Sequence, residues 1–450
     1  MRKIIRFLRF KYINTFDRCI IYIPQIMKIT FLHTCSIALI GAVCLASCST
    51  SENTEGYTYT EKRLYDLVKI DLDAKQKTYV NSNNRFAFNL FRTVSDAENA
   101  QNSFLISPLS ATYVLGMLNN GATDVTREEI NRVLGFGGAD AQGINAFCKK
   151  LIEGAPNVDK SVKINIANCI EVNRDYALKT DFKKTVETAY HAQVENLDFG
   201  DSYTLTHIND WCNRQTNGMI SSILDKINPS AVAYTLNAIY FKGVWSTPFD
   251  PKETKEKPFT TASGSKQQVQ MMHMNDLLAY TKNKDYATLQ LGYGNGGYRM
   301  LLLLPNEGKT MGDVIGGLTA DRWIENLNAL TSYKVDVELP RFESEYKIEL
   351  NKTLESLGAA SMFDKNNARF PNLCERDTYI SMILQRSKIK VNEEGTEVST
   401  VTVAESACTS IGPQLVKTAV FHADRPFIYA IVESTTGSII FIGTYKGAEK

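Results

Sequence analysis

The 450-residue chain has no excess of either charge: 50 Lys and Arg stand against 49 Asp and Glu, for a formal net charge of +1. A protein that grips nucleic acid needs a basic face, and this balance gives none. Histidine is scarce, five in all, and none sits in an HExxH pattern. The chain also lacks G-x-S-x-G and the phosphate loop G-x-x-x-x-G-K-[ST]; Gly292 to Gly297 (G-Y-G-N-G-G) fits the letters of G-x-G-x-x-G but sits between the strand-like runs 287–291 and 298–304, where a hairpin loop is the better reading, so the common hydrolase and nucleotide-binding signatures are missing. His207 and His273 have no carboxylate or cysteine at a recognised catalytic spacing and read as structural. The nine cysteines include no CxxC pair, which argues against both a disulfide framework and a zinc site. No metal, nucleotide or other cofactor is expected, and the chain does not read as an enzyme. Neither an internal repeat nor a second Pro/Gly/Ser linker divides the chain, which favours one large domain.

What is present is a composition fit for a large core, 44% hydrophobic and 22% charged. Met27-Lys28, the apolar run 29–45 and the small residues Ala46-Ser47 have the charged start, apolar middle and cleavage region of a secretory signal. The ending Leu45-Ala46-Ser47-Cys48 resembles a bacterial lipobox, which implies cleavage before Cys48 and lipid attachment to it. A retained membrane span is disfavoured, because 17 residues interrupted by His33 and Ser36 reach only the lower limit for crossing. Residues 1–26 read as an over-extended gene start, 27–47 as signal, 48–64 as a lipidated tether and 65–450 as the folded domain. The expected location is outside the cytoplasm, as an outer-membrane lipoprotein, in the periplasm or on the cell surface. Of the cysteines that remain, Cys148, Cys169, Cys212 and Cys374 read as small buried apolar residues, while Cys408 falls on an expected exposed loop.

Near the C-terminus, Glu393-Glu394-Gly395-Thr396-Glu397 opens a β-branched run, Val398-Ser399-Thr400-Val401-Thr402-Val403-Ala404, without proline or charge. If Thr396 faces inward, strand alternation buries Val398, Thr400, Thr402, Ala404 and Ser406 and leaves Glu397, Ser399, Val401, Val403 and Glu405 outside. Gly395 supplies a pivot. Downstream, Gly412-Pro413 and the stretch Leu415-Val416-Lys417-Thr418 suit an extended loop that a protease could accept. From these residues alone, an insertable hinge with a bait loop and an ordinary buried strand with a surface loop are equally good readings.

Reading upstream, Asn102-Ser103-Phe104-Leu105-Ile106-Ser107-Pro108-Leu109-Ser110 leads into Leu115-Gly116-Met117-Leu118. Asn237-Ala238-Ile239-Tyr240-Phe241-Lys242-Gly243-Val244-Trp245 follows, then Leu302-Leu303-Leu304-Pro305, Leu339-Pro340-Arg341-Phe342 and Asp424-Arg425-Pro426-Phe427. In this order the motifs resemble the serpin family over residues 65 to 450. The resemblance implies an α+β serpin fold of three β-sheets and eight or nine helices, with an exposed reactive-centre loop and a central sheet one strand short. It implies a suicide inhibitor: a protease attacks the loop and is held as an acyl ester, and the freed hinge inserts into the sheet and carries the protease away before hydrolysis is complete. Residues 393–400 would be the hinge, and Ser107, Ser110, Asn237, Trp245 and Gln385 would mark where the sheet opens. Gln385 stands where many members carry histidine, and Val398 where a small alanine is usual.

The bait bond stays open. The family's spacing from the hinge glycine lands on Thr409-Ser410, and its spacing back from Pro426 lands on Leu415, so the loop is six residues longer than the pattern. Lys417 is the only Lys or Arg between Lys390 and Arg425, so Lys417-Thr418 suits trypsin-like enzymes and Val416-Lys417 elastase-like ones. Long loops with Val-Lys-Thr resemble a broad-specificity bacterial branch of the family. A cut after Lys417 lies eight residues beyond Thr409, roughly 26 Å of slack at about 3.3 Å per residue, and Pro413 resists full insertion. The expected partners are serine proteases, with cysteine proteases as a second class, and the membrane through Cys48. A monomer is expected. The competing reading is a non-inhibitory serpin-fold carrier.

Overall fold

The computed structural model describes residues 67–137, 141–396 and 417–448. Cys48, the hinge residues Glu397, Val398, Ser399 and Thr400, and the loop residues Thr409, Ser410, Leu415 and Val416 lie outside them.

In chain order the elements begin with α1 (Ala74–Ala97), β1 (Phe104–Ile106), α2 (Pro108–Gly121), α3 (Asp124–Leu134), α4 (Ala141–Val158), β2 (Lys163–Asn173), α5 (Thr180–Tyr190), β3 (Gln193–Leu197) and α6 (Ser202–Gln215). They continue with β4 (Ala233–Val244), β5 (Lys255–Thr260), β6 (Lys266–Lys282), β7 (Tyr286–Tyr293), β8 (Tyr298–Pro305), α7 (Met311–Gly317), α8 (Ala320–Asn328), β9 (Thr331–Pro340) and β10 (Phe342–Glu349). Last come α9 (Asn351–Ser356), β11 (Met382–Val391), β12 (Gly395–Thr396), β13 (Thr418–His422), β14 (Phe427–Glu433) and β15 (Ile439–Tyr445). The resulting nine α-helices among the described residues meet the expected number.

Helix starts follow local chemistry. Asp73 and Gln76 close a capping box on α1, and Ser107 caps α2 with Pro108 in the first turn. Thirteen of the fourteen α2 residues are buried, because this helix runs through the main core and not along its surface.

A six-stranded sheet has the order β10-β11-β12-β4-β2-β3. Its middle strands are buried on both faces, so β4 reads as a nearly continuous apolar run where a half-exposed strand would alternate. One face rests on α2 and the main core. The other carries a satellite core in which Ile208, Trp211 and Cys212 of α6 pack with Tyr234, Leu236 and Ala238 of β4 and Leu384 of β11.

The remaining strands form the path β1-β15-β14-β8-β7-β6-β9-β13, with β5 beside β6. The three expected sheets therefore join into two hydrogen-bonded networks, because the 17-residue β6 serves two of them. Its first part pairs β5, its middle pairs β9 and its end pairs β7. The glycine-rich stretch 292–297 turns the β7–β8 hairpin at the Tyr293–Tyr298 pair, with Gly294 and Gly296 at positive φ.

Candidate functional site

The site is the seam between β11 and β4. Over its lower half the strands pair directly and in parallel, from Met382 opposite Tyr234 to Ser387 opposite Ile239. Strand alternation sends Gln385, Ser387, Thr235 and Asn237 toward α2. The Gln385 side chain spans the Ser107 backbone: its Oε1 accepts from the Ser107 amide at 2.8 Å and its Nε2 donates to the Ser107 carbonyl at 3.0 Å. An amide offers both a donor and an acceptor, so glutamine clamps the start of α2 to the sheet. Asn237 Nδ2 donates to Asn168 Oδ1 at 2.8 Å and to the Ala167 carbonyl at 3.1 Å on β2. Around this clamp, Ser110 Oγ, Thr235 Oγ1, Asn237 Oδ1 and Ser387 Oγ are buried without a hydrogen-bond partner among the described residues. Unmatched buried polar atoms weaken packing locally.

Above Ser387 the strands part, and β12 fills the gap. Gly395 and Thr396 pair antiparallel with Val244 and Gly243 on β4, and Thr396 also pairs with Val391 on β11. Gly395 has φ +149°, and a Cβ there would lie 2.1 Å from the Gly243 carbonyl oxygen. Only glycine permits that approach. Thr396 is fully buried, which meets the premise for the alternation of residues 398–406; those residues lie outside the described ones. The Thr396 hydroxyl lies 2.7 Å from the Tyr293 hydroxyl.

Several side chains secure the entrance. Trp245 stacks on Tyr293 with centroids 4.5 Å apart and donates through Nε1 to the Asn392 carbonyl at 2.9 Å. The backbone amides of Trp245 and Phe249 donate to the carbonyls of Glu394 and Glu393. Arg341 Nε contacts both oxygens of Glu393 at 2.6 and 2.7 Å, and Thr254 donates to the same carboxylate. Burial alone would raise the Glu393 pKa, but Arg341 and Thr254 outweigh it and hold the carboxyl below the ordinary range.

The predicted opening residues thus fall into two places: Ser107, Ser110, Asn237 and Gln385 line the closed half, and Trp245 stands at the parted end. The hinge residues Glu393, Glu394, Gly395 and Thr396 gather at that same end. Sequence reasoning missed Tyr293 and Thr254 altogether, and it quoted Arg341 only inside a motif. The available signal was the unpaired acid Glu393 before the hinge, which needed a cation once buried.

Of the bait residues, Lys417 and Thr418 are described. Lys417 is exposed, and Thr418 opens β13, which runs parallel to β9 from the Thr418–Lys334 pair onward. His207 pairs with Glu195 at 2.8 Å and His273 with Asp336 at 2.8 Å. Cys148, Cys169, Cys212 and Cys374 are all buried free thiols. Burial pushes Cys148 and Cys212 up to about 12 and Cys374 to about 11, and drives Cys169 in the same direction.

Glu171 on β2 is the least expected group near the seam. It lies opposite Glu195 of β3 and Tyr234 of β4, fully buried beside the Cys169 thiol, and neither carboxylate oxygen has an N–H or O–H donor among the described residues. Burial first, and then the Glu195 charge, push its pKa up to about 8.

A family model described as Serpin (serine protease inhibitor) matches residues 81–446. The chain is 30% identical over 376 residues to Serpin B6 of Macaca fascicularis, covering 81% of this chain and 98% of that one. It is 32% identical over 404 residues to an uncharacterized serpin-like protein of Thermococcus kodakarensis, covering 88% of this chain and 91% of that one. Among solved structures, tengpin, a thermophilic serpin in its native state, superposes with TM-score 0.76 at 31% identity, covering 85% of this chain and 96% of tengpin. Human thyroxine-binding globulin with its hormone superposes with TM-score 0.77 at 26% identity, covering 84% of this chain and all of that one. The match over residues 81–446 and the relatives above show that this chain belongs to the serpin family, described as serine protease inhibitors.

Proposed function

We propose that the protein is a suicide-substrate inhibitor of serine endopeptidases, trypsin-like and elastase-like, with cysteine proteases as a second target class. The observation that carries this reading is the seated hinge: Gly395 and Thr396 already occupy the gap between β11 and β4. An attacking protease opens the loop and is left as an acyl ester on the residue before the cut. Freed at that end, the chain extends β12 along the seam, displacing the direct β11–β4 pairing. Strand addition of this kind replaces one parallel pairing with two antiparallel ones. The uncharged, proline-free run 398–404 supports continued entry, because nothing in it resists burial. It also favours inhibition over a carrier role of the kind the thyroxine-binding globulin likeness suggests. The lipobox-like Leu45-Ala46-Ser47-Cys48 supports tethering through lipid on Cys48 and action outside the cytoplasm, with the monomer as the acting form in this proposal.

The test mixes the full chain, solubilised in mild detergent, with trypsin, with an elastase and with papain, and resolves the products on denaturing gels. A covalent complex, with a released C-terminal peptide whose first residue marks the bait bond, is expected with the two serine proteases. Complete loop cleavage with all three proteases still active would sink the inhibitor reading and leave the carrier.

A further inference from the structure

The segment after the bait region is already tied down at its first described residue. The Lys417 carbonyl accepts a hydrogen bond from the Lys334 amide at 2.8 Å, and the Lys417 ammonium lies 5.5 Å from the centre of the Tyr333 ring. From Thr418 to His422 the chain holds register with residues 334–338 of β9. β13 is the outermost strand on its side of the sheet, with Phe421 buried beneath it and Val420 60% exposed.

The far end of β13 has a second fastening. His422 Nε2 lies 2.9 Å from Asp336 Oδ2, and His273 Nε2 of β6 lies 2.8 Å from Asp336 Oδ1. One carboxylate on the middle strand therefore bridges imidazoles from both neighbours. Glu338, which Lys257 of β5 neutralises, flanks the other nitrogen of His422 at 4.0 Å.

A serine protease must place the scissile carbonyl oxygen among its own oxyanion donors. The carbonyl of Lys417 is committed to Lys334, and the residues that would lie beyond the cut are committed to β9. We propose that Lys417-Thr418 is a latched bait bond: cleavage there requires Lys417 and the first residues of β13 to peel from β9. Tyr333 at the near end and the His422–Asp336–His273 bridge at the far end set how often that happens. They are positioning residues that govern whether Lys-directed proteases can use this bond. The inference rests on the loop being a protease target, but its readout is cutting, which does not depend on trapping.

Because Lys417 is the only Lys or Arg between Lys390 and Arg425, trypsin reports on this bond without ambiguity. The full chain in mild detergent is treated with trypsin, and the sum of acylated and cleaved protein is followed through the mass of the peptide 418–450. Tyr333→Ala removes the ring and is expected to raise the rate about threefold to fivefold. His422→Gln releases one arm of the bridge and is expected to raise it by about the same factor. Tyr333→Phe keeps the ring and the parent rate. Amide hydrogen exchange at Ala419, Val420 and Phe421 should quicken in the two loosened variants only. Equal trypsin rates in all four proteins overturn the latch, whatever the fate of inhibition. Faster cutting with no covalent complex would uphold the latch and count against trapping.

Discussion

The two halves of the β11–β4 seam are built by opposite means. At the parted end residues 392–396 are held by several side chains: Arg341 and Thr254 hold Glu393, Trp245 holds the Asn392 carbonyl, and Tyr293 meets Thr396, while one oxygen of Glu394 is buried without a partner among the described residues. At the closed end two strands pair directly, yet four buried hydroxyl or amide oxygens nearby go unmatched among the described residues, and Glu171 lies buried on the α6 side beside the Cys169 thiol, with no N–H or O–H donor on either oxygen among the described residues. Matched side chains thus gather beside β12, and unmatched polar atoms lie along the directly paired half. On the proposed mechanism, such a sheet should resist spontaneous opening at its mouth and yield more readily once opening has begun.

Changes at either end would test that contrast. The largest effect is expected from Thr396→Arg, which places a guanidinium in a fully buried position beside Tyr293. Burying an unpaired charge costs several kcal/mol, so insertion should stall and the covalent complex on gels should fall by at least about tenfold, with loop cutting undiminished.

Glu171→Gln acts at the closed end and in the other direction. The folded protein raises this carboxyl from 4.5 to about 8, so the fold binds a proton that the unfolded chain releases. The native state therefore has full stability from this group below pH of about 4.5 and loses it progressively as pH rises toward 8. Glutamine does not titrate, so the variant should be more stable than the parent by about 3–5 kcal/mol at pH 8. Urea unfolding should show that gain at pH 8 and none near pH 4. A gain that did not change with pH would mean that packing, not charge, was relieved.

Arg341→Ala removes the cation from a carboxylate whose side chain is 6% exposed. Because Arg341 itself is half-exposed, the expected loss is about 2 kcal/mol, below that of a fully buried pair. Glu393 has a depressed pKa, so its pairing stabilises the fold above the ordinary carboxyl range and is lost as pH falls through the depressed value. The parent should therefore lose stability in acid more steeply than the variant, and thermal unfolding across pH 3 to 7 would show it.

Gln385→Ala should have the smallest effect on stability, about 1–2 kcal/mol, because it leaves the Ser107 amide unmatched in the core. Its kinetic effect is more informative. Freed from α2, the closed half should part more readily, and spontaneous loop insertion or polymer formation on warming should quicken. An unchanged rate would remove Gln385 from control of opening.

Much of the fold could be read from the chain because local signals and family motifs agreed. The ordered motifs carried the family, and the stretch 292–297, read as a hairpin loop, turns the β7–β8 hairpin. What stayed hidden depends on residues far apart in sequence. Tyr293 reaches Thr396 across 103 positions and Arg341 reaches Glu393 across 52, and no periodicity announces such a meeting. Glu171 sits in the apolar company of Ile170 and Val172, where an acid in a strand would ordinarily be assigned to a solvent face. The long β6 likewise hid the merging of two sheets, because the pattern of one strand does not tell how many partners it has.

The buried thiols give the molecule its own set of clocks. A thiol reacts as thiolate, so Cys212 in α6 and Cys148 in α4, both pushed up to about 12 by burial, should be silent toward alkylating reagents in the native state. Cys212 sits in the satellite core that covers the seam, whereas Cys148 belongs to the main core. With Cys408 changed to serine, the order in which these two sulfurs become modified after a protease is added would, if the proposed insertion takes place, separate opening of the satellite core from loosening of the main core.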